Sequence, residues 1–450
     1  MFYRSRSHNH CGAEWLPISP EELKMTSELL ATGAPASYLL RRVDLTYSWG
    51  SVRFPEVMRK SIEAFLGKHK PMVEAANQIV AVADPPETKL RKIYARAQQI
   101  RNLGFEPEKT QQEEKRDKHK DAKTIEDIWK CACGYNRGIN WLFLGLAKAA
   151  GLDAYPVLAP YRNQGFFQPD AAHRYDLDAG IVAVIVDGKE LLFDPGTPFT
   201  PFGALPWEIT GRQGLRLTPE GSRLVNIPRA DGNASRTLRE AQLKLTGDGA
   251  LEGKLRVTFS AVEAHVRRLE ARDMEAAGRR KFLEDHVKEY VSTGKEVELT
   301  NQPDWDSPAM TLVAEFNLKV PSWTLSAGRR VLLPVGLFAN PEKHTFEHAE
   351  RIHPIYFEYP FGKKDDITIE IPGGWKIASL FSAQSKDSGA ATYSMTAEIA
   401  GEKLHLIRNM RIEFSLLTAV QYDTLRKYFQ AVRTGDEQQV VLEESSQPPK

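Results

Sequence analysis

The stretch from Ile139 to Ala150 is apolar around nearly its whole circumference when wound as a helix. Such a helix cannot lie on a surface, so the rest of the chain has to wrap it. Gly151 follows it in the position where helices commonly end in a left-handed residue. The uninterrupted apolar run, Trp141 to Ala147, stops at Lys148, well short of the roughly 18 residues a membrane span needs. A buried core helix and no membrane span are therefore expected.

The chain has 450 residues, a prior for about three domains. Its 60 Lys plus Arg against 59 Asp plus Glu leave a net charge of +1, so no global field draws it to nucleic acid or to an anionic membrane. Three cysteines exclude a disulfide framework, and Cys131 and Cys133 are too close in sequence to staple separate elements. The start, Met1-Phe2-Tyr3-Arg4-Ser5-Arg6, has basic residues but no apolar segment behind them, so no export signal is expected.

Residues 1–52, punctuated by Pro17, Pro20 and Pro35, read as an arm too short for a core of its own. From Pro55 three helical stripes follow, carried by Ile62 and Phe65, by Ala76 and Ile79, and by Leu90, Ile93 and Ala97. Lys109 to Lys123 is almost wholly polar with mixed charge, the mark of a solvated segment. Thr124 with Asp127 three residues on forms a capping signature for a short helix. Ile181 to Val186, Asp187-Gly188 and Glu190 to Phe193 read as strand, turn and returning strand. Beyond Arg229 alternation at period two predominates, interrupted by one long charged helix over Ala261–Thr293 and closed by another from Thr418 to Arg433. The expected division is an arm (1–52), a core (53–222) and a β-rich C-terminal domain (223–450).

The run from Gly134 to Ala154, then Phe193-Asp194-Pro195-Gly196 and Pro201 to Pro206, resembles the core of the bacterial transglutaminase-like superfamily, in a multidomain branch with an N-terminal domain of unknown function. The resemblance implies an α+β fold: a papain-like core with helices packed on an antiparallel sheet, followed by a β-rich C-terminal domain containing the long helix. Active members use a Cys-His-Asp triad, with Cys at a buried helix N-terminus and His and Asp on the hairpin behind it. Carried over residue by residue, the nucleophile position falls on Asn136, the His position on Ala179, and Asp194 alone matches. An amide and a methyl group supply neither thiolate nor base. The resemblance then implies an inactive core whose cleft binds an extended peptide or a cell-envelope polymer, with no cofactor, in a branch whose members look exported.

Two other readings stay open. Cys133, His173 and Asp194 would make a thiol acyltransferase or cysteine peptidase if the helix began earlier and the loop folded inward. A purely structural, envelope-associated module is the third. A metal site from Cys131, Cys133 and His119 or His173 lacks the second pair that zinc spacing requires. Pro372-Gly373-Gly374 punctuates a strand and is no phosphate loop, and Phe166, Phe167 and Trp207 are expected in the core. If the carry-over is right, Asn136 begins the buried helix and bonds Asp194 directly or through one water.

Overall fold

Three amphipathic helices open the described part of the chain: α1 (Phe54–Leu66), α2 (His69–Ile79) and α3 (Pro86–Gln98). The computed structural model describes residues 54–106, 121–163, 177–291, 294–342 and 344–445. The arm, most of the charged run, His119, Phe166, Phe167, His173 and the last residues of the tail lie outside them. Pro86 supplies the fixed φ that suits the first turn of α3. Helix α4 (Ile125–Cys131) starts in a reciprocal capping box between Thr124 and Asp127, as their spacing predicts.

Helix α5 (Asn136–Ala149) is the apolar segment, buried without interruption from Ile139 to Ala147. Helices α1 to α4 pack on one flank, and strands β3 and β4 on the other. A two-residue parallel ladder of β1 (Arg101–Asn102) with β2 (Cys133–Gly134) lies just ahead of it. The sheet behind α5 contains β3 (Asp153–Ala159), β4 (Ala179–Val186), β5 (Lys189–Phe193), β6 (Arg212–Thr218) and β7 (Gly221–Ile227), in the order β5-β4-β3-β6-β7 and antiparallel throughout. The β4–β5 turn needs left-handed backbone at both positions, and Asp187 and Gly188 adopt φ of 49° and 74°. Val182, Val184 and Val186 face the α5 cluster, whereas Ala179, Ile181 and Ala183 join Val157, Val225 and Ile227 on the opposite face. This sheet runs through residue 222 and closes at Ile227.

The second half is strand-rich. It comprises β8 (Arg236–Leu245), β9 (Leu251–Ser260), α6 (Val262–Glu270), α7 (Ala276–Tyr290), β10 (Glu296–Leu299), β11 (Thr311–Val320), β12 (Leu325–Ala327), β13 (Arg330–Pro334) and β14 (Ile355–Tyr356). It continues through β15 (Phe361–Glu370), β16 (Trp375–Ser379), β17 (Gln384–Asp387), β18 (Ala391–Ala400), β19 (Lys403–Ile412), β20 (Leu416–Leu417), α8 (Tyr422–Asp436) and β21 (Gln439–Glu444). An eight-stranded sheet runs β10-β11-β9-β8-β15-β19-β18-β17, and a four-stranded one runs β12-β13-β21-β16. Their alternating apolar residues form one large core with Leu425, Phe429 and Val432 of α8.

The single long helix expected over Ala261–Thr293 is instead two, α6 and α7, broken at residues 271–275. A continuous helix there would be about 50 Å long at 1.5 Å per residue. The strands beneath it reach only about 33 Å. Breaking the helix keeps both pieces on the sheet, and Arg279 of α7 caps the C-terminal end of α6 by donating to the carbonyls of Ala271 and Arg272 at 3.1 Å each.

A charged cluster lies inside this half. Arg239 on β8 pairs with Asp365 on β15 at 2.6 Å, and Lys363 pairs with Glu342 at 2.6 Å. Arg408 on β19 grips Asp436, the last residue of α8, at 2.7 and 2.8 Å, and Tyr393 donates to the same carboxylate at 2.8 Å. Arg408 also lies 3.6 Å from both Asp365 and Glu342. Three cations thus face three anions, and burial is tolerated because each charge has a partner. Removing one partner leaves the other uncompensated, so Asp436→Ala should cost about 3–5 kcal/mol of folding stability. Urea unfolding followed by tryptophan fluorescence measures it; a loss below about 1 kcal/mol, the range of exposed pairs, would contradict the role given to this cluster.

Candidate functional site

The N-terminus of α5, the strand β1 and the turn after β5 meet in a cluster built on three asparagines. Asn102, at the end of β1, donates from Nδ2 to Asn136 Oδ1 at 2.6 Å and to the Gly196 carbonyl at 2.5 Å. Asn136, the first residue of α5, donates to Thr197 Oγ1 at 3.1 Å, and that hydroxyl donates to Asp194 Oδ2 at 2.8 Å. Asn140, one turn further, donates from Nδ2 both to Asp194 Oδ1 and to the Gly180 carbonyl at 2.7 Å, while its Oδ1 accepts the Gly196 N–H at 2.7 Å. The Thr197 N–H completes the set at 3.1 Å from Asp194 Oδ1. Each amide faces its nitrogen to acceptors and its oxygen to donors.

Gly196 permits this close approach: a Cβ there would collide with the carbonyl oxygen of Asn136 on the first turn of α5. Asp194 is buried, and every hydrogen bond named above reaches it from a neutral donor. Burial therefore pushes its carboxyl above the usual carboxylate range, opposed in part by the bonds from Asn140 and Thr197. Tyr94, buried beside it, has its phenol pushed well up by burial and by the Asp194 charge, and donates to the Thr200 carbonyl at 2.8 Å.

Asn136 begins α5 as the sequence predicts, and the Thr197 hydroxyl links its amide to Asp194. The turn after Asp194 folds back on the helix and interposes Thr197. Ala179 begins β4, but it shares the sheet face of Ile181 and Ala183, away from the cluster around α5. Gly180 is the residue that faces α5, where a Cβ would strike the Trp141 ring. Cys133, on β2, is buried and forms a disulfide with Cys131, so in this state it carries no free thiol. His173 lies outside the described residues. Trp207 is buried, in keeping with the core expectation.

Asn102, Asn140 and Thr197 were not singled out by sequence reasoning. For Asn140 a signal exists: it is the polar side chain inside the apolar run, and a buried amide demands partners. Asn102 and Thr197 have no such signal, since their partners are distant in sequence. Among the described residues no group of three or more His, Cys, Asp or Glu stands close enough to hold a metal ion.

Residues 329–442 match a domain of unknown function for which structures have been solved, DUF3858, and the asparagine cluster lies outside that span. No curated protein matches the chain. A crystal structure of a "putative protease" from Parabacteroides distasonis is similar at 12% identity, with a TM-score of 0.47 over 86% of this chain. The chain spans 58% of that structure's length. A likeness this slight carries no argument about activity.

Two measurements probe the cluster. Asn140→Leu removes three buried bonds and should lower stability by about 3 kcal/mol, given 1–3 kcal/mol for each buried group left unpaired; chemical denaturation reads the loss. Asp194 has a raised folded-state pKa, so the native state holds its proton more tightly than the unfolded chain does. Its contribution to stability is then full below the unfolded value of about 3.9 and declines as pH rises through the folded value. Asp194→Asn removes the ionisable group and with it this penalty, at a pH-independent cost, because its Nδ2 cannot accept from the Thr197 hydroxyl as the carboxylate does. The stability of the variant relative to wild type should therefore improve as pH rises from about 4 to neutrality, and a difference flat across that window would contradict the assignment.

Proposed function

We propose that the chain carries a transglutaminase-like core without a catalytic constellation, acting as a binding or scaffold module for an extended peptide or polymer strand. The observation that carries this reading is the placement of Asn140. In a working triad the carboxylate must accept the imidazole N–H and hold the ring toward the nucleophile. Here the Asp194 oxygens accept instead from the Asn140 amide, the Thr197 backbone and the Thr197 hydroxyl. At the start of α5 the side chain is the Asn136 amide, which forms no thiolate at the positive end of a helix dipole. The described members of the cluster tie helix to sheet, and none of them is an imidazole or a thiol.

The binding half of the reading draws on strand β5. Among the described residues it pairs with β4 alone, so its outer edge presents backbone donors and acceptors that suit an added strand. Beside it opens a cavity of about 330 Å³, lined by Leu191, Leu192, Leu205 and Val262 with Arg229 and Asp231 among its polar residues. Backbone pairing along β5 with an apolar side chain in the cavity would hold an extended peptide without cutting it.

The test has two arms. Amine incorporation into an acyl-donor peptide and peptide cleavage are assayed under reducing conditions in wild type and Cys133→Ala; no turnover above buffer is expected in either. Turnover that Cys133→Ala abolishes would favour the thiol enzyme using Cys133, His173 and Asp194. An unbiased array of twelve-residue peptides and peptidoglycan fragments is then probed with wild type and Leu192→Arg. Binding weakened at least tenfold by the substitution is expected, and an array without binders would favour the purely structural module.

A further inference from the structure

We propose that Cys131 and Cys133 form a reversible thiol–disulfide exchange site, with a low-molecular-weight thiol as co-reactant and Cys131 as the sulfur it attacks. The oxidation state of this pair sets the geometry of the asparagine cluster. The inference stands whether or not the cluster binds a ligand.

The two sulfurs differ in access. Cys131 ends α4 and is exposed, whereas Cys133 on β2 is 6% exposed. An incoming thiolate reaches the accessible sulfur, and the exchange runs faster when the departing thiolate is the better stabilised one. Cys133 lies three residues ahead of Asn136, where the positive end of the α5 dipole favours negative charge.

The balance is that of two successive displacements. The thiolate RS⁻ bonds to Sγ of Cys131, the Cys131–Cys133 bond breaks, and its electron pair leaves on Cys133. A second RS⁻ attacks the RS sulfur of the mixed disulfide, forming RSSR and releasing Cys131 as thiolate. The two protons given up by RSH end on the cysteines. The protein disulfide is reduced, and two thiols are oxidised to one disulfide.

The coupling to the cluster runs through Ala132. Ala132, which lies inside the ring closed by the disulfide and ends α4, is left-handed at φ 50° and ψ 35°, a region an alanine adopts at a cost. In that position its carbonyl accepts the Arg101 N–H at 2.9 Å and opens the β1–β2 ladder, Arg101 opposite Cys133 and Asn102 opposite Gly134. This ladder is two residues long, and among the described residues no third strand joins it. Asn102 reaches Asn136 and Gly196 from it. Opening the ring lets Ala132 leave the left-handed region, which turns its carbonyl away from Arg101 and releases Asn102.

The experiment uses the full chain with Cys11→Ser, equilibrated in glutathione buffers, quenched by alkylation and mapped by mass spectrometry. Cys131 and Cys133 should gain and lose alkylation together, as a two-electron couple. In Cys133→Ser, glutathione should accumulate on Cys131 at least tenfold more than on Cys133 in Cys131→Ser. Amide hydrogen exchange at residues 101–104 and 133–136 should be at least fivefold faster in the reduced protein. Ala132→Gly, for which the left-handed region carries no penalty, should shrink that difference. Two independently titrating thiols in oxidising buffer, or equal adducts on the two sulfurs, would overturn the exchange site. Equal exchange rates in the oxidised and reduced protein would overturn its coupling to the cluster.

Discussion

Helix α5 is apolar around nearly its whole circumference, and the first half of the molecule is arranged to keep water from the stretch Ile139 to Ala147. Four helices and two strands surround it, and each needs only one apolar face because α5 supplies the other. Glycines make the closest approach possible. A Cβ at Gly138 would strike Ile128 of α4, and one at Gly145 would strike Ile125, so α4 seats its isoleucines where α5 has no side chains. These positions are two turns apart and define one face of the helix. Burying side chains of that size is worth about 1.5–3 kcal/mol each, far more than the helix propensity given up at two glycines.

A polar residue inside such a helix has to be answered by polar groups on whatever packs there. Asn140 is answered by Asp194, by the Gly180 carbonyl and by the Gly196 N–H, which locks the end of the β4–β5 hairpin to α5. The same geometry is what a catalytic dyad would need to avoid. A carboxylate saturated by an amide and a hydroxyl is a good strut, and a poor partner for a base that must turn and transfer a proton. The hydrogen bonds of this cluster go to holding helix on sheet.

The second half relies on a different balance. Its strands alternate cleanly, but between β8, β15, β19 and α8 the interior holds paired charges. Paired charges specify register more sharply than apolar contacts, because a slipped strand would leave a cation buried alone. The two halves are joined by similar means. Arg162, which follows β3, is buried, donates twice to the Trp207 carbonyl at 3.0 and 3.2 Å and reaches Ser415 at 2.9 Å, with a further bond to the Glu358 carbonyl. His265 of α6 lies 3.0 Å from the Pro198 carbonyl, and burial lowers its pKa to about 4, so near neutral pH it acts as a neutral donor.

Local patterns in the sequence determined the elements whose causes are local: the capping box at Thr124, the buried run ended by Gly151, the Asp187-Gly188 turn and the alternation of β8 and β9. In each, residues within a few positions of one another decide the conformation. The site was legible in part for the same reason. The family resemblance pointed to Asn136 and Asp194, and counting along single elements put the one at the start of α5 and the other at the end of β5. Tertiary structure alone decided the rest. The break between α6 and α7 follows from the length of the sheet beneath them. The face on which Ala179 lies follows from the pairing of β4 with β3. The meeting of Asn102, Asn140 and Thr197 at Asp194 depends on hydrogen bonds between segments dozens of residues apart. Periodicity reports which face of an element seeks burial; which partner covers that face depends on how the elements pack against one another.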